Sequence, residues 1–198
     1  MQLHLIDAGT FKLDGGALFG VVPKSLWSKR LPADSNNMCD IAMRCLLIED
    51  SDRLILIDTG IGNKQDEKFF SHFHLSGPTL EESLQHKGFS CADITDVFFT
   101  HLHFDHCGGG ILWDDTDKKS PALTFPNAVY WSNAEHWQWA TKPNAREKAS
   151  FLTENILPIE QSGHLKFIAP GTPSPFSQFD ILLADGRYPA AREALTGV

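Results

Sequence analysis

The chain has 198 residues, 42% of them hydrophobic and 21% charged, and a formal net charge of −8. That length supports one domain with a real core but not two comfortable ones, and the composition is that of an ordinary globular protein. The acidic balance and the lack of a Lys/Arg stripe argue against a nucleic-acid partner, and no stretch approaches transmembrane length.

The N-terminus has neither a basic leader nor a long apolar run, so no secretory signal is expected. Cys39, Cys45, Cys91 and Cys107 form no CxxC pair, which fits a reducing, cytoplasmic setting.

Residues 3–8 form a short apolar run, Asp14-Gly15-Gly16 reads as a turn, and 17–22 is a second apolar run ended by Pro23. Residues 31–40 are polar and irregular, as a surface loop is. Residues 41–48 and 54–57 read as two strands of a hairpin around the charged turn 49–52. Thr79-Leu80-Glu81-Glu82 has capping-box spacing, so a helix starts there and stops at Gly88. Residues 94–99 return to strand.

Further along, 127–131 is a strand, and Ser132-Asn133-Ala134-Glu135 opens a helix to about residue 140. Asn144-Ala145-Arg146-Glu147 has the spacing to start another, which Pro158 closes. Residues 164–168 and 179–184 read as two more strands, and 189–195 favour a short helix. The whole is a mixed α/β (α+β) pattern.

The chemistry concentrates in His101-Leu102-His103-Phe104-Asp105-His106, followed by Cys107 and three glycines. Placed at a strand end, His101 and His103 project the same way and can share one cation. Asp105 and His106 lie past the strand end, where they can face a second cation. Imidazoles and a carboxylate suit zinc and related transition metals. Cys107 fits a small buried residue. His164 could replace a missing ligand but reads rather as a surface or turn residue, and His72-Phe73-His74 mimics HxH without the following Asp-His, as a lid or substrate-rim segment would. Trp131, Trp137, Trp139 and Lys166 read as packing or as a rim over a substrate mouth.

The run His101, His103, Asp105, His106 resembles the HxHxDH signature of the metallo-β-lactamase superfamily of metallohydrolases. Leu54-Ile55-Leu56-Ile57-Asp58-Thr59-Gly60 is similar to its upstream strand and Asp-Thr-Gly turn. The stretch from Asp14-Gly15-Gly16 to Lys24 resembles the branch of quorum-quenching lactonases and methyl parathion hydrolase-like enzymes. The resemblance covers residues 1–186 as one incomplete domain and leaves 187–198 as a divergent tail.

It implies an αββα sandwich with two metals at one edge, usually Zn2+, with Fe or Mn as options. His101 and His103 would bind the first metal, and Asp105 and His106 the second. Water bridging two cations supplies hydroxide at neutral pH, and Asp105 would act as the catalytic residue orienting it. Asp58 would be the carboxylate steadying the ligand loop, and Gly108 to Gly110 would supply positive φ beneath the metals.

The family pattern also needs a Gly-His-Thr turn, a bridging aspartate and a last histidine. Here Asp185-Gly186 runs into Arg187-Tyr188-Pro189, and no histidine follows. The sequence therefore reads as C-terminally truncated, with much of its C-terminal half missing and the first metal bound weakly. Two functions follow. One is metal-dependent hydrolysis of a small-molecule ester, lactone, amide or phosphoester; the other is an impaired fragment with a partial metal site. A lost half would leave an apolar sheet face open, to be covered by a homo-oligomer.

Overall fold

A computed structural model describes residues 1–114, 120–169, 171, 173–176, 179–185 and 192–197. The chain opens with a thirteen-residue strand, β1 (Gln2–Asp14), then two short helices, α1 (Gly15–Phe19) and α2 (Lys24–Trp27). The strands β2 (Met38–Asp50) and β3 (Arg53–Ile57) form the expected hairpin, with Asp50 paired to Arg53. Next come α3 (Glu67–Ser71), α4 (Leu80–His86), β4 (Asp96–Phe98), α5 (Phe104–Cys107), and the pair β5 (Ile111–Trp113) and β6 (Pro121–Leu123). The described elements close with β7 (Val129–Asn133), α6 (Ala134–Thr141), α7 (Thr153–Gln161), β8 (Leu165–Ile168), β9 (Asp180–Asp185) and β10 (Arg192–Gly197).

Six strands make one mixed sheet in the order β1-β2-β3-β4-β7-β8. The first three run antiparallel, and β3, β4, β7 and β8 run parallel. The register Leu47–Leu56–Val97–Tyr130 lies on one face, and Leu46–Ile57–Phe98–Trp131 on the other. Both rows are apolar, so β3 and β4 are buried on both sides, as parallel strands generally are. Leu80 and Leu84 of α4, Trp137 and Ala140 of α6, and Ile156 and Ile159 of α7 cover the first face. Ile48, Ile55, Ile57, Phe98 and Ile168 of the second face pack under Phe176 and Phe179.

That second face departs from the open apolar surface expected. Arg53 ties the covering segment down: its guanidinium donates to Asp96 Oδ1 at 2.5 Å and Oδ2 at 3.0 Å and to the Pro175 carbonyl at 2.7 Å, and lies 4.7 Å from the Phe176 ring centroid. Among the described residues the β1 margin stays bare there, with Leu3 48% and Leu5 61% exposed.

Three local expectations are corrected. Asp14-Gly15-Gly16, read as a turn, is a helix start: the Asp14 carboxylate accepts from Gly16 N, and 15–19 turns helical over Trp27. No helix begins at Asn144. Its Oδ1 accepts from Arg146 N and Glu147 N in a closed turn, leaving the Ser150 carbonyl to accept from Phe104 N. The helix starts at Thr153 and holds Pro158 inside it. Finally, 192–197 is strand β10, paired antiparallel to β9, and not helical. Residues 189–191 of that expected helix lie outside the described residues.

Candidate metal centre

Parallel strands leave the carboxyl ends of β3, β4 and β7 at one sheet edge, the usual place for a ligand site in such sheets. β3 delivers Asp58, whose φ of 58° lies in the left-handed region that aspartate tolerates better than most residues. Its backbone N–H donates to Phe98 O at 2.9 Å. Its carboxylate, 8% exposed, accepts from Thr100 N at 2.8 Å on Oδ1 and from Thr100 Oγ1 at 2.7 Å on Oδ2. The same Oδ2 takes the His106 Nδ1 contact at 2.8 Å. Asp58 thus contacts both Thr100 and one ring of the histidine run.

The histidine run leaves the strand before it reaches its ligands. β4 ends at Phe98, His101 to His103 is irregular, and α5 begins at Phe104. Strand alternation therefore does not aim these rings; the turn into α5 does. The ring centroids of His101 and His103 lie 4.6 Å apart, and those of His101 and His106 only 3.9 Å. His101 is thus gathered with both partners, rather than paired with His103 alone.

The hydrogen bonds fix the ring protons. The single Thr100 hydroxyl proton goes to Asp58, so at 3.2 Å from His101 Nδ1 that oxygen accepts, and His101 carries its proton on Nδ1. His106 likewise donates Nδ1–H to the Asp58 carboxylate. On both rings Nε2 is then the lone-pair nitrogen that would face a cation. Burial, reinforced by His106, His103 and His136, pushes the His101 pKa down to about 2 and keeps that ring neutral.

The donor set fits a metal by its chemistry. Asp105 Oδ2 lies 3.4 Å from His106 Nε2. With Nδ1–H committed to Asp58 on a neutral ring, this would set a carboxylate oxygen against an imidazole nitrogen, an arrangement that a shared cation would satisfy. Carboxylate-oriented imidazoles are also the usual surroundings of bound zinc. Among the described residues, however, no three His, Cys, Asp or Glu side chains are arranged as they stand to hold a metal ion. The set is a partial cage.

The three glycines act by close approach, not by positive φ. None of Gly108, Gly109 and Gly110 lies in the left-handed region. A Cβ on Gly108 would strike the Ile61 carbonyl, and one on Gly109 the Thr59 carbonyl. That contact lets Thr59 N and Oγ1 donate to the His106 carbonyl at 2.7 and 3.0 Å. Lys64, 5% exposed, donates from Nζ to Gly108 O, and burial lowers its pKa to about 8. Cys107 is fully buried, as expected, and its thiol donates to Leu102 O at 3.3 Å.

One residue escaped the sequence reading. His136 is 4% exposed, and its Nε2 lies 2.9 Å from Leu102 N, between the two histidines of the motif. Asn133 caps α6, accepting from Glu135 N and His136 N. The signal available was position: β7 neighbours β4 in parallel, so the helix that follows it starts at the same edge. His164, by contrast, precedes β8 at the opposite edge and contacts Ala128 O through Nδ1 at 2.8 Å. Trp131 and Trp137 pack against Phe176 and Phe167, while the Asp185 side chain and residues 186–191 lie outside what is described. A cavity of about 380 Å³ is lined by Met43, Ile61, Phe70, Leu75 and Pro78, among others, and by none of the motif histidines.

A family model described as the metallo-beta-lactamase superfamily matches residues 44–184. N-acyl homoserine lactonase AiiB of Agrobacterium fabrum is 27% identical over 117 residues, 54% of this chain and 42% of its own length. Among solved structures, a probable metal-dependent hydrolase from Staphylococcus aureus superposes with a TM-score of 0.84 at 29% identity, covering 98% of this chain and 67% of that one. AidC, a dizinc quorum-quenching lactonase solved with a product, N-hexanoyl-L-homoserine, superposes at 0.70 with 25% identity, covering 98% and 69%. The chain spans less than half the length of the first curated relatives it matches.

Proposed function

The chain belongs to the metallo-beta-lactamase superfamily, and from that premise we propose that it is a metal-dependent hydrolase of a small-molecule ester, lactone, amide or phosphoester. The observation that carries the reading is the facing pair His106 Nε2 and Asp105 Oδ2, 3.4 Å apart beside the neutral ring of His101. His101, His103, Asp105 and His106 would hold two cations, with zinc the ion named for the dizinc relative. When bound, the cations supply a nucleophile from water at neutral pH and polarise the scissile oxygen.

The rest is the work of this chain. Asp58 fixes the His106 tautomer directly and the His101 tautomer through Thr100, so both rings are aligned before substrate arrives. Asp105 orients the attacking water and can accept its proton. The lactone case draws its support from the lactonase relatives. A cytoplasmic setting draws on four free cysteines, and self-association on the bare margin at Leu3 and Leu5.

The test is metal content and turnover of the purified full chain. Loading with zinc should give about two metals per chain and hydrolysis of N-acyl homoserine lactones or p-nitrophenyl esters that a chelator abolishes. Less than one metal with no hydrolysis of either probe sinks the enzymatic reading. The second reading, a partial site with impaired catalysis, is favoured by the incomplete cage among the described residues. It is recognised by metal binding without turnover.

A further inference from the structure

We propose that His136 is a positioning residue that holds the backbone of the histidine loop by accepting the Leu102 N–H on its Nε2. The proposal rests on the metal-centre reading only for what the loop is used for. The contact itself stands on the geometry.

The peptide between His101 and His103 has no strand partner, because β4 has ended. Leu102 is wholly buried, so its N–H must find an acceptor inside the protein. The acceptor is a side chain from a different element, His136 Nε2 at 2.9 Å. Accepting there places the His136 proton on Nδ1, since the neutral ring has one donor and one acceptor. That Nδ1 is buried with no hydrogen-bond partner among the described residues. Leaving a buried donor unpaired is unfavourable and calls for an explanation. An apolar ring would fill the same space without the unpaired Nδ1 but would strip the buried Leu102 N–H of its acceptor, so packing alone does not account for an imidazole here.

The surroundings hold the acceptor still. Asn133 binds the His136 backbone N–H with Oδ1 and reaches Ile168 O with Nδ2, fixing the first turn of α6 to β8. Phe151 packs against His136 with ring centroids 5.9 Å apart and against His103 at 4.9 Å. On the other side of the same peptide, the Leu102 carbonyl accepts from the Cys107 thiol. Both polar groups of Leu102 are therefore held by side chains, which fixes the spread of the rings on either side of it.

Three measurements on the full chain decide the matter. In chelator-treated, 15N-labelled protein near neutral pH, His136 should show protonated Nδ1 and bare Nε2; a protonated Nε2 overturns the proposal. His136→Phe should accelerate exchange of the Leu102 amide on the order of a hundredfold. His136→Gln keeps an acceptor near the same place and should stay close to wild type. Unchanged Leu102 exchange in His136→Phe overturns the proposal. Cobalt titration should then show His136→Phe binding roughly 10–100-fold more weakly and His136→Gln rescuing most of the loss. If both variants lose affinity in step with their melting temperatures, the role is merely structural and the proposal fails. If His136→Phe does not fold, the wild-type tautomer and His136→Gln still decide it. If wild type binds no cobalt, the metal reading fails, while tautomer and exchange still judge the contact.

Discussion

Asp58 and Thr100 are joined twice, backbone N–H to Oδ1 at 2.8 Å and hydroxyl to Oδ2 at 2.7 Å. The double contact locks the ends of two neighbouring parallel strands together. It also turns one carboxylate into the tautomer setter of two histidines.

Asp58→Asn keeps a residue that tolerates the left-handed backbone but replaces one carboxylate oxygen by a donor. His106 then loses its anionic partner and Thr100 its acceptor. Metal affinity should fall about 10–100-fold, measured by competition with a chromophoric chelator. Thr100→Val should release only His101 and give a smaller loss. Equal losses in the two variants would show that Asp58 does not act on His106 separately.

Gly109→Ala should destabilise by about 3 kcal/mol, the upper end for overpacking, because its Cβ meets the Thr59 carbonyl and not a yielding side chain. Urea denaturation measures it. A loss within experimental error would mean that the two backbones can separate freely.

Arg53→Met leaves Asp96, with a side chain only 4% accessible, without its cation. The guanidinium is part-exposed and Asp96 keeps its Thr95 and Trp131 donors, so the loss should fall below the ~3–5 kcal/mol of a fully buried pair. The variant should also expose the segment around Phe176 to protease, since Arg53 anchors Pro175. Cleavage no faster than in wild type would remove Arg53 as the anchor.

Lys64 gives stability an alkaline signature. Its folded pKa, lowered by burial to about 8 from 10.5, means that the unfolded chain binds the extra proton between those values. Stability should therefore rise as pH goes from about 8 to 10.5, by on the order of 3 kcal/mol. Lys64→Met should flatten that rise. An identical slope in both proteins would assign it to another group.

On the acid side, with chelator present, His101 and His136 stay neutral in the fold down to about 2 and about 4, burial being the main cause for each. The unfolded chain protonates both below pH 6.5, so stability should fall as pH drops beneath that point. The slope is up to about 1.4 kcal/mol per pH unit for each ring. His136→Phe should remove one ring's share between about pH 4 and 6.5.

The strands were legible where apolar runs met plain turns: the β2–β3 hairpin, β4, and the Thr79 capping box with its reciprocal Glu82 contact. The spacing of the histidine run drew attention to these residues, but it did not reveal how the rings group. His101 meets His106 because α5 turns the chain back, which strand alternation cannot foresee. His136 was hidden because its partner is a backbone N–H, which leaves no mark in the side-chain pattern. Asn144 misled for a related reason: Asx turns and helix caps use the same residue types.

The order of the sheet has a consequence for how the protein is born. β1, β2 and β3 are consecutive and antiparallel, joined by the segment 15–37 and the tight turn after Asp50, so they can pair while β4 is still being synthesised. Pulse-labelled exchange should find the amides of 39–57 protected before those of 97–99, and the reverse order would contradict this. Asp58, at the end of that early meander, then waits for its partners. The histidine loop is threaded onto an anchor already made, so a slow ribosome or a destabilised β3 would be felt first as a site assembled late, on a sheet that otherwise looks whole.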